Sequence, residues 1–143
     1  MLLLGIDPGS NTGVAMYRAG ELRKMRTVDP LEVIGLLRET VPDMVVFEDS
    51  RLQSPVWSAN KLRQAANLKI ARDVGRIDML CVLIEATCKA MQIQCHGVSP
   101  KGKGAKLDAD QFRQVTGWVE ASNEHTRDAA MVAWPYRRAH VQK

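Results

Sequence analysis

The sequence predicts an α/β fold, a mixed five-stranded sheet covered by helices, and three observations carry that prediction. Three strand-like segments follow one another at the start, separated only by turn residues. An amphipathic helical segment then leads into a fourth apolar run, and a second, much longer helical pattern leads into a fifth. A strand meander joined through a crossover helix to further strands requires parallel and antiparallel pairs in one sheet.

Leu2–Asp7 reads as a buried strand and Thr12–Arg18 as the next, with Pro-Gly-Ser-Asn turning between them. Ala19-Gly20 turns into a third strand over residues 21–27. Asp29-Pro30 is a helix start, Asp as cap and Pro at the first helical position. Leu31, Ile34, Leu37 and Val41 recur at threes and fours and share one helical face. Pro42-Asp43 ends that helix, and residues 44–47 form the fourth strand, closing on Glu48. A loop over residues 51–58 precedes a helix from Trp57 or Ser58 to Met91. Its apolar stripe runs through Ile70, Val74, Ile77, Cys81, Ile84, Cys88 and Met91, and Leu80, Val82 and Leu83 widen it. Residues 93–98 make the fifth strand, 107–116 a helix, and a last helix runs from Ser122 or Asn123 to near Pro135.

The 143 residues suit one domain with one core, spanning 1–143. The hydrophobic content of 45% and charged content of 25% are those of an ordinary globular chain. A formal net charge of +4 favours a polyanionic partner. Three cysteines without a close pair speak for reduced thiols and against a zinc site. The apolar start, Met1 to Leu4, is too short for a leader or a span, so a cytoplasmic location without membrane attachment is expected.

Asp7 ends a buried strand, where an isolated carboxylate is costly. The neighbouring glycines allow a tight turn and a close approach of an anion or metal. Taken alone, Asp7 reads slightly better as the cap of an Asp-Pro-Gly turn. Glu48 also ends an apolar strand, with Asp49 beside it, and strand alternation sends those two to opposite faces. His125 and Asp128, three apart, share a helical face about one turn apart. Carboxylates gathered at such ends would repel one another unless divalent cations joined them.

Gly5-Ile6-Asp7-Pro8-Gly9-Ser10 with Thr12-Gly13 resembles the opening hairpin of the RuvC-type Holliday junction resolvases, within the RNase H-like superfamily. Phe47-Glu48 resembles their second acidic position, and His125-Thr126-Arg127-Asp128-Ala129-Ala130 their closing helix. The resemblance selects Glu48 over Asp49. It implies an RNase H-like mixed five-stranded sheet with helices on both faces. It also implies that Asp7, Glu48, His125 and Asp128 hold two Mg²⁺ ions, with Mn²⁺ able to substitute. The implied activity is a metal-dependent endodeoxyribonuclease that resolves four-way junctions by paired nicks, with His125 as ligand or general base. Lys101 and Lys106 would contact scissile-strand phosphates. The stretch Asp49-Ser50-Arg51-Leu52 departs from the family in lacking an aromatic. Trp57 either takes over that role as a wedge between bases or belongs to the core.

Lys61, Lys69, Arg72 and Arg76 fall on one face of the long helix and are expected to track an arm of branched DNA. The late part of that helix, Cys81 through Met91, is the candidate surface for a homodimer, which suits two paired cuts. No branch-migration partner can be read from the chain. A kinase-like ATP module needs a second lobe that this length does not supply. A related nuclease acting on flaps, duplex DNA or RNA–DNA hybrids, and a non-cutting binder of branched DNA, remain the other readings.

Overall fold

The computed structural model describes residues 1–53, 64–102 and 104–141. Five strands, β1 (Leu2–Asp7), β2 (Thr12–Arg18), β3 (Glu21–Val28), β4 (Met44–Glu48) and β5 (Gln94–Val98), form one sheet in the order β3-β2-β1-β4-β5. β1, β2 and β3 pair antiparallel, whereas β1–β4 and β4–β5 pair parallel. The mixed sheet predicted from the chain order is therefore the one observed. Four α-helices, α1 (Val33–Thr40), α2 (Gln64–Ala90), α3 (Ala109–Thr116) and α4 (Glu124–Ala133), cover both its faces.

Alternation along the strands divides the core. Leu4, Ile6, Val14, Val45 and Phe47 pack with α1 and α2 through Val33, Leu37, Cys81 and Ile84. Leu3, Ala15, Tyr17, Met44 and Val46 face the other way, onto Phe112 of α3 and Ala129, Ala130 and Ala133 of α4. Tyr17 is fully buried there, and its hydroxyl donates to the Ala130 carbonyl at 2.7 Å. Burial pushes its phenol well above the usual range, so it remains a neutral donor. Tyr17→Phe orphans that carbonyl and should destabilise the fold by about 1–2 kcal/mol, measurable as a lowered urea midpoint with an unchanged slope.

The helical periods need three corrections. The segment read as one helix from Pro30 begins as a 3-10 turn, Pro30–Glu32, capped by the Asp29 side chain on the Leu31 N–H. Leu31 is consequently out of phase with the face assigned to it and is 92% exposed. Val41 ends α1 in a left-handed conformation, φ 45°, and is also exposed; the buried residues of α1 are Val33, Leu36 and Leu37. In α2, Cys81, Ile84 and Cys88 are buried against the sheet, so they do not form an outward dimer face. Leu80 likewise turns inward, while Met79, Val82 and Leu83 point out and Ile70 is exposed. The expected helix start at Trp57 or Ser58 lies outside the described residues. No helix among the described residues is long and apolar enough to cross a membrane.

Candidate functional site

Asp7 and Glu48 are the last residues of adjacent strands. The parallel register pairs Ile6 with Phe47, so the next step along each strand sets Asp7 beside Glu48. Leu3 and Met44, each an even number of residues before them, belong to the α4-side core. Both carboxylates therefore fall on the sheet face that α4 covers. Asp49, one residue on, turns to the α2 side. It is buried (4% exposed), and both its oxygens are engaged by Arg51, Nε to Oδ1 and Nη2 to Oδ2, each at 2.8 Å. That guanidinium, which also reaches Glu85 at 2.9 Å, holds the Asp49 carboxyl below its ordinary range. Asp49 is thus committed to a clamp between the end of β4 and α2, reinforced by Ser50 Oγ donating to Asp78 at 2.6 Å.

Two glycines set the height of α4 over this site. A Cβ on Gly13 would stand 2.0 Å from the His125 carbonyl oxygen, and one on Gly5 would stand 2.2 Å from that of Ala129. Only hydrogen fits at either place, so the helix backbone rides directly on β1 and β2. Neither residue has a positive φ. Their part is close packing and not the tight turn anticipated for them. The turn itself is held by Thr12, whose buried hydroxyl donates to the Gly9 carbonyl at 2.8 Å.

The start of α4 is equally constrained. Asn123 accepts from the Thr126 N–H and Thr126 Oγ1 accepts from the Asn123 N–H, a reciprocal cap. Asn123 also donates to Thr27 of β3 at 3.0 Å. The helix therefore enters in one orientation, with His125 Nδ1 3.9 Å from Asp7 Oδ2 and Asp128 buried one turn later. Lys106 hydrogen-bonds Glu124, and its ammonium lies 3.6 Å from Asp128 Oδ2. The Glu124 hydrogen bond, with help from the Asp128 charge, raises the Lys106 pKa, so its positive charge persists at neutral pH. Arg127 ties the Lys106 loop to α4 by donating to the Leu107 carbonyl at 3.0 Å.

Asp7, Glu48, His125, Asp128 and Lys106 are thus gathered at one end of the sheet. Lys101, in a short 3-10 turn (Pro100–Gly102), pairs with none of the acidic groups among the described residues. Lys69, Arg72 and Arg76 are exposed on α2, and Arg76 lines a small cavity together with Gly9 and Ser10 of the β1–β2 turn. Trp57, Lys61 and Lys103 lie outside the described residues. Sequence reasoning missed the Asp49–Arg51 clamp and the anchoring role of Arg127. The cap at Asn123 left a legible trace in its Asn-x-x-Thr spacing.

The donors are hard oxygens and one imidazole, the kind that suits Mg²⁺ or Mn²⁺ rather than a thiolate metal. Among the described residues no three of them converge into a closed ligand group. The acidic pair on α4, Glu124 and Asp128, does gather a cation of the chain itself, the Lys106 ammonium.

The sheet order, the two-sided helical cover and the strand-end acids define an RNase H-like α/β fold. Among solved structures the chain is similar to Thermus thermophilus RuvC in complex with a Holliday junction substrate, with a TM-score of 0.61 and 17% identity over 94% of this chain and 90% of that one. It is similar also to the structure of Thermus thermophilus RuvC described without that substrate, with a TM-score of 0.60 and 18% identity over 94% and 92%. This is a likeness of fold. No protein-family model matches the chain, and no curated protein does.

Proposed function

We propose that the chain is a divalent-metal-dependent endonuclease that resolves four-way DNA junctions by paired symmetric nicks. The observation that carries the reading is the juxtaposition of Asp7 and Glu48 on neighbouring strand ends beneath the His125 and Asp128 turn of α4. Asp7, Glu48, Asp128 and His125 would hold Mg²⁺ or Mn²⁺, which when bound supplies Lewis-acid stabilisation of a phosphodiester and of its leaving oxygen. The protein's own groups then divide the remaining work. His125, beside Asp7 and 43% exposed at its side chain, either completes that ligand set or, left off the metal, accepts a proton from an incoming water. Lys106 supplies a fixed positive charge for a strand phosphate beside the acids. The stripe of Lys69, Arg72 and Arg76 tracks a DNA arm through its phosphates.

A four-way junction has two-fold symmetry, so paired cuts call for two copies of the chain. The outward apolar residues of α2, Met79, Val82 and Leu83, are the surface on which we place the homodimer contact.

The reading is tested by incubating the protein with a mobile four-way junction, linear duplex, flap and RNA–DNA hybrid, each with Mg²⁺ and with EDTA. Paired nicks on the junction alone, abolished by EDTA, are expected. Cutting of the hybrid or flap instead would keep the metal chemistry and reassign the substrate. Lys106→Met should lower the junction nicking rate by about tenfold to a hundredfold, the effect of one lost charge-stabilising donor or somewhat less. Its exposed ion pair is screened by solvent and adds little to stability, so the melting temperature should stay nearly unchanged. A large fall in melting temperature would make Lys106 structural instead.

A further inference from the structure

The turn between β2 and β3 and the chain that leaves α4 meet at the end of the sheet away from Asp7. Ala19 and Gly20 both take positive φ, 51° and 80°, as a two-residue hairpin turn demands. A Cβ on Gly20 would stand 3.3 Å from Arg138 Cγ and 3.5 Å from the Arg137 carbonyl oxygen, so the segment after α4 lies against this turn. Between the turn, the end of α3 and that segment is an open cleft of about 500 Å³. Leu22, Val115 and Trp134 give it apolar walls, and Arg137 and Arg138 give it two guanidinium groups.

The charges in this cleft do not balance. Arg137 stacks its guanidinium 3.7 Å above the Trp134 ring and donates from Nη1 to the Trp134 carbonyl at 2.8 Å. The group is held in one orientation, yet among the described residues neither it nor Arg138 meets a carboxylate. Tyr17, 6.3 Å from the Trp134 ring, stays neutral because it is buried and supplies no counterion. Glu21 is the acid at the rim, and Arg23 already engages it at 2.6 Å. The cleft therefore offers two guanidiniums beside an apolar surface.

We propose that this cleft docks an acidic segment of a partner protein, one in which two carboxylates flank an aliphatic side chain. Arginine clusters are a recurrent means of reading acidic motifs, because the planar guanidinium matches a carboxylate with two parallel hydrogen bonds. Leu22 and Val115, the latter 46% exposed, receive the aliphatic side chain between them. The volume falls within the roughly 300–1,000 Å³ of ordinary ligand clefts.

DNA is the other polyanion that a basic chain attracts, and two observations turn the choice away from it. Asp7 pairs with Gly13 at one end of β2, and Leu2 with Arg18 at the other. The cleft is therefore about 20 Å from the acids, the length of that strand. Unpaired bases are held mainly by stacking on aromatic faces, and the guanidinium of Arg137 already covers the Trp134 ring. Phosphate contacts, for their part, make no use of aliphatic walls. The dock stands apart from the nuclease reading and leaves the acid end open while a partner is bound.

The probe is a fluorescein-labelled peptide, Gly-Ser-Asp-Leu-Asp-Ser-Gly, with an amidated C-terminus, followed by fluorescence polarisation on the full chain. Saturable binding is expected, weakened about tenfold or more by Arg138→Gln, the effect of a lost charge-assisted hydrogen bond. Val115→Asp should weaken it similarly, and so should peptides with Asn for Asp or Ser for Leu. Both protein variants change exposed side chains, so their melting temperatures and their junction nicking should match those of the unaltered chain. Lys69→Gln, on the α2 stripe, should leave peptide binding unchanged. No saturable binding up to about 1 mM overturns the dock. Equal binding of the serine peptide, or an equal loss in Lys69→Gln, reduces the effect to diffuse charge and overturns it as well. Displacement by stoichiometric junction DNA would give the cleft to nucleic acid, and displacement by millimolar inorganic phosphate to a small anion; either result overturns the proposal.

Discussion

Asp7→Asn is expected to reduce junction nicking by about a thousandfold or more, the rate equivalent of the several kcal/mol that metal-ion catalysis contributes. Asparagine keeps the shape of the side chain and removes the charge. It therefore leaves the packing of β1 against α4 in place while withdrawing the negative charge that stands beside both Glu48 and His125. DNA binding should survive, because the cations that meet phosphates, Lys106 and the α2 stripe, are unaffected. Two measurements separate the outcomes, nicking of a labelled junction in Mg²⁺ and a gel shift of the same junction in EDTA. Lost nicking with retained binding assigns Asp7 to the chemistry. Loss of both, with a lowered melting temperature, would make Asp7 a structural cap of its turn.

Gly13→Ala is expected to damage stability and activity together. The added methyl would stand 2.0 Å from the His125 carbonyl oxygen, and the obstacle is helix backbone, which cannot swing aside as a side chain would. Forcing a methyl into a filled space costs about 1–3 kcal/mol, and a backbone collision belongs at the upper end of that range. For a chain of this size the melting temperature should fall by roughly 6–10 °C. Nicking should fall further than the folded fraction does, because lifting α4 carries His125 and Asp128 away from Asp7. Gly35→Ala provides the contrast. That glycine is on the exposed side of α1 with nothing within 4 Å of a new methyl, and alanine there should stabilise by about 0.5–1 kcal/mol. Equal effects at the two sites would contradict the packing argument.

The elements most legible in the sequence were those with a period and a punctuation. β1 and β2 were read to the residue because each is a short apolar run closed by turn residues, and β4 because it runs from Pro42-Asp43 to Glu48. The pairing of Glu48 rather than Asp49 with Asp7 rested on resemblance; strand parity in the folded sheet now separates them, and the Arg51 clamp gives Asp49 other work. The α1 face was misread because a 3-10 turn advances by more per residue than an α-helix does, which throws Leu31 out of phase. The outward face of α2 was misread in part because a wide apolar stripe does not say which edge meets the sheet.

The sequence by itself determined the order of strands and helices, the positions of the acids at their ends and the cap that starts α4. Those properties are local, set by turn residues, side-chain alternation and hydrogen bonds three residues apart. Only the tertiary structure decided that Gly5 and Gly13 exist to let a helix touch the sheet, that Lys106 stands over Asp128, and that Arg76 lines a cavity with the β1–β2 turn. Each of these joins residues between 22 and 124 positions apart in the chain. Contacts of that separation leave no periodic trace, because they arise only when independent elements pack together and exclude water between them.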